Sequence, residues 1–139
     1  MRNGIFLDAS FWVAYRDEDQ AQHAEAAKLL IELFRRKIFF TTTMPVICEI
    51  HAAFSRNTRK RALVLRDLWN NPVVKIEPVS HQDHIAALEI LQLNQDKTYS
   101  LCDAISFVVM RRLQIRSAVS FDHHFRQFGE FEILPENFP

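Results

Sequence analysis

Glycine is nearly absent from this 139-residue chain, where only Gly4 and Gly129 occur. A P-loop and a GxGxxG dinucleotide turn each need several glycines so that backbone can approach phosphate, and both are therefore excluded. Cysteine is scarce too. Cys48 and Cys102 lie far apart and form no CxxC pair, which points to a reducing cytoplasm rather than a disulfide-stapled secreted domain. No apolar run approaches membrane-spanning length, and Asp8 interrupts the first one too early for a signal peptide. Neither sign of charge dominates: 17 Lys and Arg balance 17 Asp and Glu. A global positive field is thus missing, and any nucleic-acid surface has to be a local patch.

What is present is a globular composition. Hydrophobic residues make up 48% of the chain, enough to bury a core in one domain spanning 1–139. Short apolar runs at Ile5-Phe6-Leu7, Ile38-Phe39-Phe40, Val73-Val74-Lys75-Ile76 and Ser117-Ala118-Val119-Ser120 read as strands. Between them, helical spacing predicts a short helix over 11–15 and a longer one from an Asp19/Gln22 capping pair to about Lys37. Pro45 suits the first turn of a third helix, buried along Val46, Ile47, Ile50, Ala53 and Phe54. Ala62, Leu65, Leu68 and Trp69 mark a fourth, with Trp69 read as core, and Ser80 with Asp83 opens a helix holding Ile85, Leu88 and Leu91. Ser100 and Asp103 have capping-box spacing ahead of the apolar stretch 105–110. Strands alternating with helices give an α/β domain with a mainly parallel central sheet.

Four acids sit in unusual settings. Asp8 follows an apolar run directly, with Ser10 two residues on; the pair caps the next helix or lines the carboxyl edge of a central strand, where ligands bind in open α/β sheets. Glu49 borders an apolar stripe with no base within one helical turn. Asp103 stands at a helix start, where the dipole keeps a carboxylate ionised, and Asp122 follows the late strand as a turn residue or a ligand. In a parallel sheet all four fall on one edge. Four converging carboxylates repel one another, and a hard divalent cation, Mg²⁺ or Mn²⁺, removes the conflict. Arg56, Arg59, Lys60 and Arg61, with Arg66, form a local basic run that is either a solvated helix face or a phosphate-binding patch. Arg111, Arg112 and Arg116 form a second basic group. His81 and His84, three apart, lack a third ligand nearby, and His123 and His124 read as exposed polar residues in a turn.

In this order and spacing the residues resemble the PIN-domain nucleases, and a chain of this size is similar to the VapC-type toxin ribonucleases. The resemblance rests on Ile5-Phe6-Leu7-Asp8-Ala9-Ser10, on Glu49 after Thr41-Thr42-Thr43-Met44-Pro45, on Ser100-Leu101-Cys102-Asp103-Ala104, and on Ser120-Phe121-Asp122-His123-His124-Phe125. Cys102 and Ser120 stand where the family commonly has Thr. The resemblance implies a three-layer fold and Mg²⁺- or Mn²⁺-dependent endonucleolytic cleavage of RNA. It also implies a homodimer, inhibition by a small antitoxin, and a cytoplasmic location. Asp8 and Asp103 would then be direct metal ligands, with Glu49 and Asp122 acting through water or on a second ion. Ser10 would orient water or phosphate. Two rival classes are a phosphorylated receiver domain, which needs a late-strand lysine although none follows Lys97, and a non-catalytic PIN-like binding module, whose usual mark is loss of an acid.

Overall fold

The computed structural model describes residues 4–136. Five strands, β1 (Ile5–Leu7), β2 (Phe40–Thr42), β3 (Val74–Ile76), β4 (Ser117–Val119) and β5 (Glu132–Leu134), form one sheet in the order β3-β2-β1-β4-β5. Every pairing is parallel. Successive side chains of a strand point to opposite faces, and Ile5, Phe6 and Leu7 are all buried, so helices cover β1 on both sides and the domain is three-layered. The helices are α1 (Ala9–Arg16), α2 (His23–Arg35), α3 (Met44–Ala53), α4 (Thr58–Leu68), α5 (His81–Leu93), α6 (Leu101–Leu113) and α7 (His123–Phe128). The expected α/β class with a parallel sheet is borne out.

Strand order decides where a site can lie. From β1 the chain adds β2 and β3 on one side, then returns to add β4 and β5 on the other. The direction therefore reverses between β1 and β4, and the crevice at their carboxyl ends is where parallel α/β sheets bind ligands. Asp8 follows β1 there and Ser120 to Asp122 follow β4.

Several expected boundaries move. The second helix begins at His23, not Asp19, because the Asp17 side chain takes the Asp19 amide (3.0 Å) and holds 17–20 in a separate turn. β2 starts two residues later than Ile38, since the Ile38 amide still closes the helix on Leu33 O. Thr42 is consequently inside the strand, and its hydroxyl donates to Leu7 O (3.0 Å), bracing β1 just before Asp8. Trp69 is not core: it is 54% exposed. The buried pair of α4 is Val64 and Leu68, which leaves Leu65 and Trp69 about 100° further round the helix. The same rotation exposes Ile85 and Leu88 on α5, whose buried side is Asp83, Ala87 and Ile90.

The expected caps of α5 and α6 form as full capping boxes, Ser80 with Asp83 and Ser100 with Asp103. Asp83 is also gripped by Arg112 through two bonds of 2.9 and 2.8 Å, while Arg112 reaches Glu77 at 2.8 Å. Arg111 pairs with Glu130. Arg111 and Arg112 of the second basic group are therefore taken up by structural ion pairs, while Arg116 is exposed. On the other side of the sheet, Asp67 on α4 accepts from Arg16 (2.6 Å) and from the Trp12 indole (3.1 Å) of α1.

Gly4 marks a close approach. Its φ is +73°, and a Cβ there would lie 2.2 Å from Phe39 O, the carbonyl that accepts from the Ile5 amide and opens the β1–β2 pairing. Gly129, at φ +74°, would place a Cβ in ordinary van der Waals contact, 3.8 Å from Gln127 O. Gly129→Ala is accordingly expected to cost only the left-handed backbone penalty, about 1–2 kcal/mol. Gly4→Ala adds a backbone clash and is expected to cost about 2–5 kcal/mol. Urea unfolding checks the difference, and equal losses in the two variants would contradict it.

Candidate active site

Asp8 is the innermost group of the crevice. It is 4% exposed, and its amide bonds Val119 O (3.2 Å), which ties the end of β1 to the end of β4. Ser10 Oγ and Ser120 Oγ both donate to Asp8 Oδ2, at 2.6 and 2.7 Å. Each hydroxyl is itself fixed by backbone: the Phe121 amide donates to Ser10 Oγ (2.9 Å) and the Asp122 amide to Ser120 Oγ (3.0 Å). The cage is one-sided, and no described side chain donates to Asp8 Oδ1. Ser10 is thus committed to Asp8 in this structure rather than turned to a water or phosphate. Ser120, with no exposed surface, completes the cage.

Asp103 is 5% exposed at the third position of α6. Its Oδ2 accepts from the Ser100 amide (3.0 Å) and pairs with His124 Nδ1 (2.9 Å). Asp122 caps α7, taking the His124 amide on Oδ1 at 2.9 Å. Glu49 projects from α3 at the exposed rim, where the nearby Cys102 thiol partly offsets the upward push on its carboxyl. The capping reading and the site reading of Asp103 and Asp122 hold together: the bonds that cap a helix also aim the carboxylate.

Electrostatics binds the four into one site. Burial pushes the Asp8 carboxyl up to about 6; the two serine hydroxyls pull it back, and Asp122 and Asp103 raise it further. Burial likewise raises Asp103, held down by the Ser100 amide and raised again by Asp122. Glu49 is raised by burial, then by Asp103 and Asp122. Asp122 acts on all three of the others, and Asp103 acts on both Asp8 and Glu49, so the four carboxylates lie near one another. Among the described residues no basic side chain neutralises Asp8 or Glu49. Four carboxylates, partly buried and with no basic partner at Asp8 or Glu49, offer oxygen donors that suit a hard divalent cation.

His124 was expected to be an exposed turn residue, and it is not. Its side chain is only 15% exposed, bridges Asp103 and Asp122, and bonds Thr98 Oγ1 through Nε2 (2.9 Å). The ring packs edge-on against Tyr99. His123 does point outward, with a side chain 76% exposed. The basic run is mixed: Arg56 and Arg59 are exposed and Arg61 half-buried, whereas Lys60 is held by Glu18 at 2.6 Å.

A parallel sheet with carboxylates gathered at its switch point defines a nuclease-like acidic crevice, and the comparisons agree. The PIN domain model matches residues 5–130, and the chain belongs to the PIN-domain family. It is a VapC-type endoribonuclease homologue, 32% identical over 133 residues to the 23S rRNA-specific endonuclease VapC20 of Mycobacterium tuberculosis, covering 95% of this chain and 99% of that protein. The crystal structure of that protein, described as a Sarcin-Ricin loop cleaving toxin, superposes with a TM-score of 0.81 at 30% identity over 97% of this chain and 99% of that one. FitAcB from Neisseria gonorrhoeae shares the fold at 11% identity, with a TM-score of 0.69 over 95% of this chain and 97% of that one. So does VapBC2 from Rickettsia felis bound to a promoter DNA fragment, at 12% identity and a TM-score of 0.63 over 93% and 96%.

The raised Asp8 carboxyl has a stability consequence. A group that holds its proton more tightly folded than unfolded favours the fold at low pH, and that contribution is lost as pH rises from about 3.8 through about 6. Ionised and without a cation, Asp8 then opposes folding by about 3 kcal/mol. Asp8→Asn is therefore expected to be more stable than wild type at pH 7.5 in chelator, by up to about 3 kcal/mol, with the gap closing towards pH 4. Urea unfolding across that range checks it, and superimposable pH profiles would refute it.

Proposed function

We propose that this protein is a divalent-metal-dependent endoribonuclease that cuts a phosphodiester in structured ribosomal RNA, as the toxin of a toxin–antitoxin pair. The observation that carries the reading is Asp8: a buried carboxylate, caged on one oxygen only, within the field of Asp122 and Asp103 and, among the described residues, without a basic partner. Asp8 and Asp103 would hold Mg²⁺ or Mn²⁺ directly, and Glu49 and Asp122 would complete the site through water. When bound, the ion supplies positive charge against which the carboxylates ionise and the developing charge on the phosphodiester is neutralised. The chain's own groups orient that site. Ser10 and Ser120 fix Asp8 through Oδ2 and leave Oδ1 without a described side-chain donor, and Ser100 and His124 fix Asp103. Glu49, at the rim, is the acid best placed to meet substrate first.

The RNA backbone would be drawn in by Arg56, Arg59 and Arg61 at the turn between α3 and α4 and the start of α4; Lys60, already paired with Glu18, adds less. Ribosomal RNA is favoured as target because the relative with 32% identity is a 23S rRNA-specific endonuclease. A small antitoxin and a second copy of this chain are the proposed protein partners. Exposed Ile85 and Leu88 on α5, with Trp69 and Met44 around a neighbouring groove, offer apolar surface for association. Among the described residues no helix is long and apolar enough to cross a membrane, and two free cysteines suit the cytoplasm proposed as the place of action. The alternative, a PIN-like module that binds without turnover, is disfavoured by the retention of all four acids.

The test uses an RNA carrying the sarcin–ricin loop. Wild type is expected to cut it at a discrete site with Mn²⁺ and not in excess EDTA. Asp8→Asn and Asp103→Asn, folded by circular dichroism, are expected to lose at least about 100-fold in rate. Undiminished cutting by those variants, or by wild type in EDTA, would overturn the reading. Arg56→Ala and Arg59→Ala are expected to weaken RNA binding several-fold and to flatten its salt dependence by about one unit of slope each. Filter binding between 50 and 200 mM salt decides it, an unchanged slope assigning those arginines to a solvated face.

A further inference from the structure

Among the described residues, the grouping of three metal-ligand atoms that closes to within 4.8 Å of one another is Asp122, His123 and His124. It lies at the mouth of the acidic crevice but differs from it in chemistry, offering two imidazole nitrogens and one carboxylate oxygen. His124 Nδ1 is 3.3 Å and His123 Nδ1 3.7 Å from Asp122 Oδ1. Zinc bonds of about 2.0–2.1 Å in a tetrahedron put ligand atoms about 3.3 Å apart. The Asp122–His124 edge already has that length, the Asp122–His123 edge exceeds it by only about 0.4 Å (3.7 against about 3.3 Å), and the His123 ring is exposed, its centroid 4.3 Å from that of His124. His124 is also prepared on its far side. Its Nε2 is anchored to Thr98 Oγ1 at 2.9 Å, which directs Nδ1 at the carboxylates. A hydrogen bond of this kind on the outer nitrogen orients and strengthens a ligating imidazole.

We propose that Asp122, His123 and His124 form a binding site for a borderline divalent cation of the zinc class, at the rim of the acidic pocket and separate from Asp8 and Glu49. Magnesium, which prefers oxygen, does not recruit the nitrogens. Zinc does, and in doing so it occupies Asp122 and withdraws the His124 nitrogen from Asp103. The site therefore gives a thiophilic and imidazole-seeking metal a means of altering the carboxylate set that magnesium would use. His81 and His84 on α5 have no such third ligand among the described residues. The inference goes beyond the nuclease reading and does not need RNA cleavage to be correct.

The test follows histidine nitrogens in untagged, ¹⁵N-labelled protein by long-range ¹H–¹⁵N correlation. One equivalent of Zn²⁺ is expected to shift the Nδ1 signals of His123 and His124, while millimolar Mg²⁺ leaves them in place. His123→Gln, a change at an exposed position, and His124→Gln are each expected to weaken zinc binding at least about 10-fold by competition against a chromophoric chelator. Asp8→Asn is expected to retain the full zinc response. Zinc signals confined to other histidines, wild-type zinc affinity in both glutamine variants, or loss of the response in Asp8→Asn would overturn the site. Loss in Asp8→Asn would mean that the ion lies in the carboxylate pocket itself. If cleavage fails in every metal but the two histidines still take zinc, the site stands and the nuclease reading falls.

Discussion

The structure turns on repulsion between carboxylates that parallel strand pairing forces together. Because β1 and β4 run side by side in the same direction, the residues after Leu7 and after Val119 emerge at one edge, and Asp8 is bonded to Val119 O there. Asp8 is then buried with other acids in its field. Two hydroxyl donors work against the burial, and hydrogen bonds to a charged group are each worth about 1.5–3 kcal/mol. They do not win. The carboxyl still lies well above its ordinary value, so removal from water and like charge outweigh both serines. Such an edge favours positive charge beside it: His124 serves Asp103 and Asp122 in that way, whereas no described basic side chain does so for Asp8.

Much of the remaining architecture holds that edge in shape. Phe107 on α6 stacks on Phe128 with ring centroids 4.1 Å apart and meets Phe125 edge-on at 5.0 Å. Those contacts clamp α7 against α6 and so place Asp122 and His124 beside Asp103. Asp103 serves several demands with one side chain: it closes a capping box, holds His124 and contributes to the pocket. A site assembled this way is rigid where it is buried and adaptable where it is exposed, as the contrast between Asp8 and rim-standing Glu49 makes plain.

The elements whose signals are local were legible from the residues alone. The strand Ile5–Leu7, both capping boxes and the alternation that gives a parallel sheet each depend on a few adjacent side chains. Asp8 and Asp122 could be named because each follows a strand and Asp103 because it opens a helix, whereas Glu49, in the middle of α3, was marked only by the apolar stripe it borders. What could not be read were facts of rotation and long-range contact. Trp69 and Leu65 look apolar in a heptad-like pattern, yet which side of α4 faces inward is decided by α3 and the sheet edge. Ser120 joins the cage only because β4 lies beside β1, 112 residues away in sequence from Asp8. His124 looked like a turn residue because its partners, Thr98 and Asp103, come from another element. Its position three before Gln127 carries no signal, whereas its place between a helix-capping Asp and a buried Phe125 was a clue that the ring is held.

Net charge frames how such a site must work. The chain has no formal charge overall, and its crevice is negative, so a polyanion is repelled from the bare site and meets no general attraction elsewhere. Two separate features then have to supply attraction. On the proposed reading, a cation held by the carboxylates would reverse the sign locally, and the exposed arginines at and after the α3–α4 turn would provide contacts along the RNA backbone. Arg111 and Arg112 do not share this work, since Glu130, Asp83 and Glu77 already hold them. On that reading affinity and chemistry fall to different residues: losses at the arginines would act through salt-sensitive encounter, while losses at Asp8 or Asp103, both buried where charge is little screened, would act on the step itself.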